Sequence, residues 1–127
     1  MNAPRSTRLL LVEDDPAILK LEGAILEAAG FKFDAVSSGE AALKALAAQT
    51  YDAVLLDVGL PDTDGFELCM RIRRDPSLGN PYVIYVTAKA DVESMHTGFT
   101  TGGVFYLTKP FTRGKLLDVV NAVATPG

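Results

Sequence analysis

Short apolar runs alternate with longer segments of mixed polarity along the whole chain. Three of the five runs are almost continuously apolar, which is typical of strands covered on both faces of a buried sheet. The second run, Phe31–Val36, is interrupted by polar residues. The pattern therefore predicts five strands at Leu9–Val12, Phe31–Val36, Ala53–Leu56, Tyr82–Val86 and Val104–Leu107.

The segments between the predicted strands have the three-to-four-residue spacing of amphipathic helices. In the first segment the predicted inward face consists of Ile18, Leu21, Ile25 and Ala28. Asp15 is predicted to cap this helix, Ser37–Glu40 is predicted to form a capping box for the second, and Thr112 is predicted to cap the last. The pattern therefore predicts a helix after each strand.

Five βα units in succession imply parallel strands joined by right-handed crossovers, with helices on both faces of the sheet. Five strands are too few to close an eight-stranded barrel, so the expected fold is an α/β, doubly wound, open parallel sheet. In such sheets, ligands bind beyond the carboxyl ends of the strands, where the strand order reverses. Residues that directly follow a strand are therefore the candidates for chemistry.

Charged and hydroxyl side chains directly follow four of the five predicted strands. They are Glu13 and Asp14 after the first strand, Asp57 after the third, Thr87 after the fourth and Lys109 after the fifth. Each residue alone has an ordinary structural explanation, but so many coincidences at one sheet edge are not expected. Asp57 in particular ends a strand that should be central, where an unpaired carboxylate is costly to bury.

The predicted cluster of carboxylates indicates a divalent cation. Two carboxylates about 4 Å apart repel each other by roughly 4 kcal/mol at an effective dielectric constant of about 20. Magnesium suits such a site because it prefers oxygen ligands, keeps several waters and often bridges to a phosphoryl oxygen. With Mg²⁺ present, Asp57 can act as a nucleophile toward phosphorus, and the Lys109 ammonium and the Thr87 hydroxyl would meet the phosphoryl oxygens.

Length and composition restrict the class of protein further. The 127 residues, 48% of them hydrophobic, suit one folded domain, which we predict to span residues 1–127. The net charge of −4 and the lack of a Lys/Arg cluster argue against direct binding of nucleic acid. The single cysteine, Cys69, excludes an internal disulfide. The apolar run Leu9–Val12 is too short for a signal peptide or a membrane span, so we expect a cytoplasmic protein.

Six short motifs, in a fixed order along the chain, carry a resemblance to a known family. They are Leu10–Pro16, Leu55–Asp57, Leu60–Pro61, Asp64–Gly65, Val86–Ala88 and Tyr106–Phe111. With them, the chain from about residue 8 to residue 124 resembles the receiver domains of bacterial response regulators, which act in two-component phosphorelays. The resemblance implies the flavodoxin-like fold of the chemotaxis regulator, with strand order 2-1-3-4-5.

The resemblance also implies a role for each residue at the sheet edge. Asp57 would accept a phosphoryl group from a phosphohistidine on a partner histidine kinase or histidine phosphotransfer protein. The ligands of Mg²⁺ would be Glu13, Asp14, Asp57 and the backbone carbonyl of Gly59. The domain would then be a signalling protein that catalyses only its own phosphorylation and dephosphorylation, not an enzyme acting on another substrate.

The resemblance further implies a switch that responds to phosphorylation. Lys109 would bind the phosphoryl group. Thr87 would move toward that group, and Tyr106 would turn inward to fill the space that Thr87 leaves. The peptide bond between Lys109 and Pro110 would be cis.

A surface beside the switch is predicted to bind a downstream protein. Val104 and Phe105 directly precede Tyr106, and their exposure would create a small apolar patch of the kind that marks partner contacts. We therefore expect the face formed by the fourth helix, fifth strand and fifth helix to dock a partner. On this hypothesis, Phe105→Ala weakens partner binding and leaves folding stability nearly unchanged.

Residues near Asp57 also bear on alternative functions. Gly59 stands where a haloacid dehalogenase-type phosphatase needs a second aspartate, and the acidic loop Glu13–Pro16 would repel the phosphate of a flavin cofactor. Gly59 and Lys89 depart from the common receiver pattern at positions that border the path of attacking water. Two alternatives stay open: a receiver cut from a larger hybrid kinase or multidomain regulator, and an interaction module that is not phosphorylated.

Overall fold

In this computed structural model, which describes residues 7–124, five strands alternate with five helices. The strands are β1 (Arg8–Val12), β2 (Lys32–Val36), β3 (Ala53–Leu56), β4 (Tyr82–Thr87) and β5 (Gly103–Thr108). The helices are α1 (Pro16–Ala28), α2 (Gly39–Ala48), α3 (Gly65–Arg74), α4 (Val92–Thr100) and α5 (Arg113–Val123), with a 3₁₀ turn at Pro76–Leu78. All five predicted strands are found, and their bounds differ from the prediction by at most one residue. None of the helices in this part of the chain is long and apolar enough to cross a membrane.

The five strands form one parallel sheet in the order β2-β1-β3-β4-β5, which confirms the predicted doubly wound α/β fold and its strand order. The order reverses at β1, whose two neighbours are β2 and β3. Val12, the last residue of β1, lies in register with Leu56, the last residue of β3. The chain therefore leaves both strands side by side at the same edge of the sheet.

Alternate residues of each strand face two separate hydrophobic cores. Leu10 and Val12 of β1 belong to the core under α2 and α3, whereas Leu9 and Leu11 belong to the core under α1 and α5. We call these the α2–α3 core and the α1–α5 core. The α2–α3 core consists of Leu10, Val12, Ala42, Leu46, Tyr51, Val54, Leu56, Val58, Leu68, Cys69, Ile72, Leu78, Val83 and Tyr85. The α1–α5 core consists of Leu9, Leu11, Ile25, Leu26, Phe31, Ala53, Leu55, Ile84, Val86, Leu107, Leu116 and Val120.

Side chains close the helix ends largely as predicted. Asp15 caps α1 and Thr112 caps α5, each by accepting a hydrogen bond from a backbone N–H of the first turn. The capping box expected at Ser37–Glu40 is wrong, because Ser38 is the cap residue of α2 and the glutamate lies one position too early to close the box. The carboxylate of Asp62, in the loop after β3, instead accepts from the first two N–H groups of α2 at 2.8 and 2.9 Å.

The inward face of α1 also differs from the prediction. The buried residues of this helix are Glu22, Gly23, Ile25 and Leu26. Leu21 is 47% exposed and Ala28 is exposed, so the predicted face is wrong at these two positions. Because α1 packs on both β2 and α5, its inner line passes through Leu19, Glu22 and Leu26, which also have helical spacing. The consequence is a glutamate on the buried side of the helix.

Candidate functional site

Backbone hydrogen bonds fix the two acidic residues that lie deepest in the site. Glu13 and Asp57 directly follow β1 and β3 and continue the hydrogen-bond ladders of the sheet. The N–H of Glu13 donates to the carbonyl of Val36, and the N–H of Asp57 donates to the carbonyl of Val12, both at 3.1 Å. Both acidic side chains are buried. Continuity of the sheet thus holds two carboxylates at the point where the strand order reverses.

Three carboxylates come together at this edge of the sheet. Glu13, Asp14 and Asp57 each offer an oxygen within 4.8 Å of the other two. Burial raises the pKa of Glu13 above its usual value, although hydrogen bonds from Lys109 and from the N–H of Asp15 act in the opposite direction. We call these three residues the acidic cluster. Its oxygen donors match the preference of Mg²⁺, and a divalent cation would offset their mutual repulsion.

Lys109 supplies the positive charge beside the acidic cluster. Its Nζ donates hydrogen bonds to Glu13 Oε1 and to Asp57 Oδ2, the second at 3.1 Å. The N–H of Lys109 donates to the carbonyl of Thr87 at 2.9 Å, and the peptide bond to Pro110 is cis, as the resemblance implied. Burial alone would lower the pKa of Lys109, but the hydrogen bonds to Glu13 and Asp57 raise it above its usual value. The side chain is therefore an ammonium at neutral pH.

Gly59 lies in the loop after β3, two residues beyond Asp57. Its N–H donates to Asp57 Oδ1 at 3.2 Å, and an isolated bridge to Asp64 closes the loop. Apart from its two chain neighbours, none of residues 7–124 has an atom within 4 Å of the point where a side chain at position 59 would begin. The space beside the phosphoacceptor candidate is therefore open on this side.

Thr87 and Tyr106 are linked through the backbone of one residue. Thr87 is buried at the end of β4, and its Oγ1 accepts a hydrogen bond from the N–H of Lys89 at 3.3 Å. The hydroxyl of Tyr106 donates to the carbonyl of Lys89 at 2.7 Å. The half-buried ring of Tyr106 lies 5.8 Å from the ring of Tyr85 and 6.5 Å from that of Phe99, between ring centroids. The loop from β4 to α4 is thus tied to both predicted switch residues.

Val104 and Phe105 do not form the exposed pair that the sequence predicted. Val83 pairs with Gly103 and Ile84 with Phe105, so Val104 is the extra residue of a β-bulge. Val104 is 39% exposed, whereas Phe105 is half-buried and packs against the α1–α5 core. The expectation of an exposed Phe105 is therefore wrong. The extra residue of the bulge shifts the alternation of the strand by one, so the side chain of Phe105 faces the α1–α5 core.

Exposed apolar side chains do occur on the neighbouring helix. Val92 and Phe99 of α4 are 81% and 51% exposed, and they lie seven residues apart on one face of the helix. The ring of Phe99 also contacts Tyr106. The apolar surface beside the switch therefore belongs mainly to α4.

Glu22 of α1 is a buried carboxyl group that the sequence analysis did not identify. It is 2% exposed, and its Oε1 has no hydrogen-bond partner among residues 7–124. Burial, with a smaller contribution from the charges of Glu13 and Asp57, raises the pKa of Glu22 to about 8. The helical spacing of Leu19, Glu22 and Leu26 is the signal that could have revealed it, but the more apolar line through Leu21 concealed it.

Comparison with known proteins supplies the family. The model of the response regulator receiver domain family matches residues 9–121. The chain is 39% identical over 120 residues to the transcriptional regulatory protein TcrA of Mycobacterium tuberculosis, an alignment that covers 94% of this chain and 47% of TcrA. The chain thus spans about half the length of TcrA, and the same holds for other transcriptional regulators that it matches.

Solved structures of similar size agree with the sequence comparison. A putative response regulator from Chloroflexus aurantiacus superposes with a TM-score of 0.88 at 33% identity, covering 95% of this chain and 98% of that one. The receiver domain of the sensor histidine kinase PA1611 from Pseudomonas aeruginosa, solved with a magnesium ion in its active-site cleft, superposes with a TM-score of 0.84 at 30% identity. That alignment covers 95% of this chain and 98% of the PA1611 domain. With residues 9–121 matched to the family model, the chain belongs to the receiver domains of response regulators in two-component systems.

Proposed function

We propose that Asp57 accepts a phosphoryl group from a phosphohistidine of a partner histidine kinase or histidine phosphotransfer protein, in a Mg²⁺-dependent reaction. The observation that carries the proposal is the position of the Asp57 carboxylate. It belongs to the acidic cluster and lies 3.1 Å from the Lys109 ammonium, at the strand-order reversal of the sheet. A nucleophilic carboxylate with a fixed positive charge beside it suits the transfer of a dianionic group.

The side chains of the site have separate tasks in this reaction. An oxygen of Asp57 attacks phosphorus, the P–O bond of an acyl phosphate forms, and the P–N bond to the donor imidazole breaks. Lys109 balances the charge of the phosphoryl oxygens, and the hydroxyl of Thr87 donates a hydrogen bond to one of them. Glu13, Asp14 and Asp57, with the carbonyl of Gly59, would hold Mg²⁺, which when bound offsets the repulsion between the carboxylates and the incoming phosphate.

The phosphoryl group comes from outside this chain. The chain contains one histidine, His96, and it lies exposed on α4, whereas the acidic cluster follows β1 and β3. This placement favours a partner kinase or phosphotransfer protein as the source.

The output of phosphorylation is a change in the face formed by α4, β5 and α5. Thr87 and Tyr106 both bind the backbone of Lys89, so a displacement of Thr87 toward the phosphoryl group is transmitted to the loop before α4. The exposed residues Val92, Phe99 and Val104 give that face the apolar area that a partner protein would cover. Phe105 is half-buried and packs against the α1–α5 core.

Phosphorylation by acetyl phosphate and Mg²⁺, followed by intact mass spectrometry, tests the proposal. We expect one phosphoryl group on the wild-type chain and none on Asp57→Asn. Asp118→Asn is the matched control, because Asp118 is an exposed aspartate on α5, and it should be labelled as the wild type is. EDTA should abolish the labelling of all variants. Labelling of Asp57→Asn at a residue outside the acidic cluster, or labelling that survives chelation, would contradict the proposal.

The prediction that nucleic acid is not a direct partner concerns this chain alone. One relative, from Synechocystis, is named a DNA-binding dual master transcriptional regulator, and this chain covers 48% of its length. DNA binding is therefore a property of that whole protein. Gel-shift assays with the isolated chain should show no binding of duplex DNA at physiological salt, because the net charge of −4 repels the phosphate backbone.

A further inference from the structure

The loop between β3 and α3 carries two residues of the proposed cation site. Asp57 directly follows β3, and Gly59, whose carbonyl is a proposed ligand of Mg²⁺, lies two residues further along the chain. The backbone of Gly59 is bonded within the loop itself, through its N–H to Asp57 Oδ1 at 3.2 Å and through the bridge to Asp64. The position of the Gly59 carbonyl therefore depends on how the loop as a whole is held against the rest of the domain.

Asp62 joins this loop to the start of α2. Its Oδ1 accepts a hydrogen bond from the N–H of Gly39 at 2.8 Å, and its Oδ2 accepts one from the N–H of Glu40 at 2.9 Å. These two hydrogen bonds hold the pKa of the exposed Asp62 carboxyl below its usual value. The carboxylate is therefore ionised at neutral pH, and each of its oxygens is bonded to a different N–H group of the helix.

The same loop also lies directly against the first residue of α2. Gly39 is buried, and a side chain at this position would begin 2.4 Å from Cγ2 of Thr63, closer than two carbon atoms can approach. The absence of a side chain at Gly39 thus lets the loop and the helix meet. Two neighbouring residues of the loop, Asp62 and Thr63, share this contact.

The start of α2 has a cap of its own besides Asp62. The Oγ of Ser38 accepts a hydrogen bond from the N–H of Ala41 at 3.1 Å, and its carbonyl accepts one from the N–H of Ala42 at the same distance. The hydrogen bond from Glu40 to Asp62 is exposed, so water can replace the carboxylate there. The distinctive consequence of the Asp62 contact is therefore the position of the loop and not the formation of the helix.

We propose that Asp62 is a positioning residue for the cation site: by binding the start of α2, it holds the β3–α3 loop where the carbonyl of Gly59 can reach a divalent cation in the acidic cluster. This inference rests on the proposed Mg²⁺ site. Mg²⁺ requires a nearly ideal octahedral arrangement of ligands, so a ligand carried by a loosely held loop binds it poorly. Both oxygens of Asp62 are bonded to α2, so Asp62 acts through the loop and not as a ligand.

Titration with Mg²⁺, followed by the NMR shifts of backbone amides in the site, measures the effect on cation affinity. Loss of a group that orients a metal ligand typically weakens metal affinity by roughly 10- to 100-fold. Asp62 orients one of four proposed ligands, so we expect Asp62→Ala to raise the Kd for Mg²⁺ about tenfold, at the lower end of that range. Asp62→Asn keeps one acceptor oxygen and should have a Kd between those of the wild type and Asp62→Ala.

Two matched controls separate positioning from simpler effects. Ser38→Ala removes the other side-chain cap of α2 and leaves the contact with the loop intact. Glu40→Gln removes one negative charge from the same exposed region and keeps the N–H group that binds Asp62. Both controls should bind Mg²⁺ with a Kd within about twofold of the wild type, because neither releases the loop.

Amide hydrogen exchange without Mg²⁺ gives a readout that does not depend on the cation. The N–H groups of Leu60 and Gly65 both donate to the carbonyl of Val58, at 3.2 and 2.8 Å, and report on the order of the loop. Their exchange should accelerate several-fold in Asp62→Ala and stay at the wild-type rate in Ser38→Ala.

The outcomes distinguish this inference from the proposed function. A raised Kd in Asp62→Ala but in neither control, together with faster exchange in the loop, would support the role of Asp62. Equal affinity of wild type and Asp62→Ala for Mg²⁺, an equal loss in either control, or unchanged exchange in the loop would overturn this inference alone. Lack of Mg²⁺ binding by the wild type would overturn the proposed function, and this inference with it.

Discussion

The two helices that flank β5 are held to the domain in different ways. α5 buries Leu116 and Val120 completely in the α1–α5 core. α4 packs on β5 with Gly98 as its only buried residue, while Val92 and Phe99 are largely exposed. At roughly 25 cal/mol per Å² of apolar surface removed from water, hydrophobic burial stabilises the position of α5 far more than that of α4.

The C-terminal end of α4 is held by polar contacts instead of by burial of apolar side chains. The hydroxyl groups of Tyr85 and Thr101 are hydrogen-bonded at 2.7 Å, and the thiol of Cys69 donates to the carbonyl of Thr101 at 3.3 Å. The opposite end of α4 follows the loop in which Lys89 binds Thr87 and Tyr106. A helix held by few polar contacts can shift without exposing a core. The α4 side of β5 is therefore the part of the fold best able to respond to the site.

Truncation of Leu116 should produce the largest loss of stability, because Leu116 lies on α5, the helix held by burial in the core. Leu116→Ala removes a completely buried side chain and should lower the free energy of unfolding by about 3 kcal/mol, through lost burial and a new cavity. Phe99→Ala on α4 removes a larger but half-exposed side chain and should cost less than about 1 kcal/mol. Urea denaturation of both variants measures the difference. Equal losses would break the contrast between the two helices.

The sequence predicted the strands and the sheet edge because strands covered on both faces must be apolar along their whole length. An acidic residue that directly follows such an apolar run, as Asp57 does, is therefore easy to recognise in the sequence. The inward face of α1 was predicted only in part, since two lines of helical spacing overlap and the more apolar one is mixed: Ile25 is buried, whereas Leu21 is 47% exposed. The burial of Phe105 was missed because the bulge at Val104 shifts the alternation by one residue. Both errors concern how an element is rotated, which tertiary packing decides.

Because of Glu22, which is buried on α1, the free energy of unfolding should fall as pH rises. Its folded-state pKa of about 8 lies above the ordinary value of 4.5, so the folded state binds the proton more tightly than the unfolded state does. The stabilisation from this proton is complete below about pH 4.5 and is lost as pH rises toward 8. Between pH 6 and pH 8 the loss should be on the order of 2 kcal/mol without Mg²⁺.

Glu22→Gln removes this titration and serves as the comparison. Its free energy of unfolding should fall less than that of the wild type from pH 6 to pH 8, as measured by urea denaturation at each pH. Glu13, whose pKa is also raised, remains in both proteins, so its contribution largely cancels in the difference. Parallel curves for wild type and Glu22→Gln would show that Glu22 does not titrate in this range.

Val104 and Phe105, neighbours on β5, allow buried and exposed positions to be compared within a single strand. Phe105→Ala should lower the free energy of unfolding by about 1.5 kcal/mol, because its half-buried ring packs against the α1–α5 core. Val104→Ala should change it by less than about 0.5 kcal/mol, since Val104 is the exposed residue of the bulge. Thermal and urea unfolding of both variants provide the test. A larger loss in Val104→Ala would mean that the bulge, not α5, secures this strand.

The smallest expected effect concerns the hydroxyl that ties Tyr106 to the loop before α4. Tyr106→Phe keeps the ring against Tyr85 and removes only the hydrogen bond to the carbonyl of Lys89. Because this bond is exposed, its loss should cost about 0.5 kcal/mol. Amide hydrogen exchange in the β4–α4 loop should nevertheless accelerate, since the loop loses one of its two links to the switch residues. Tyr82→Phe is the matched control, because Tyr82 is a tyrosine 52% exposed at the start of β4, away from the β4–α4 loop. A stability loss in Tyr106→Phe as large as that of Leu116→Ala would show that α4 is anchored as firmly as α5, and the contrast between the two helices would fail.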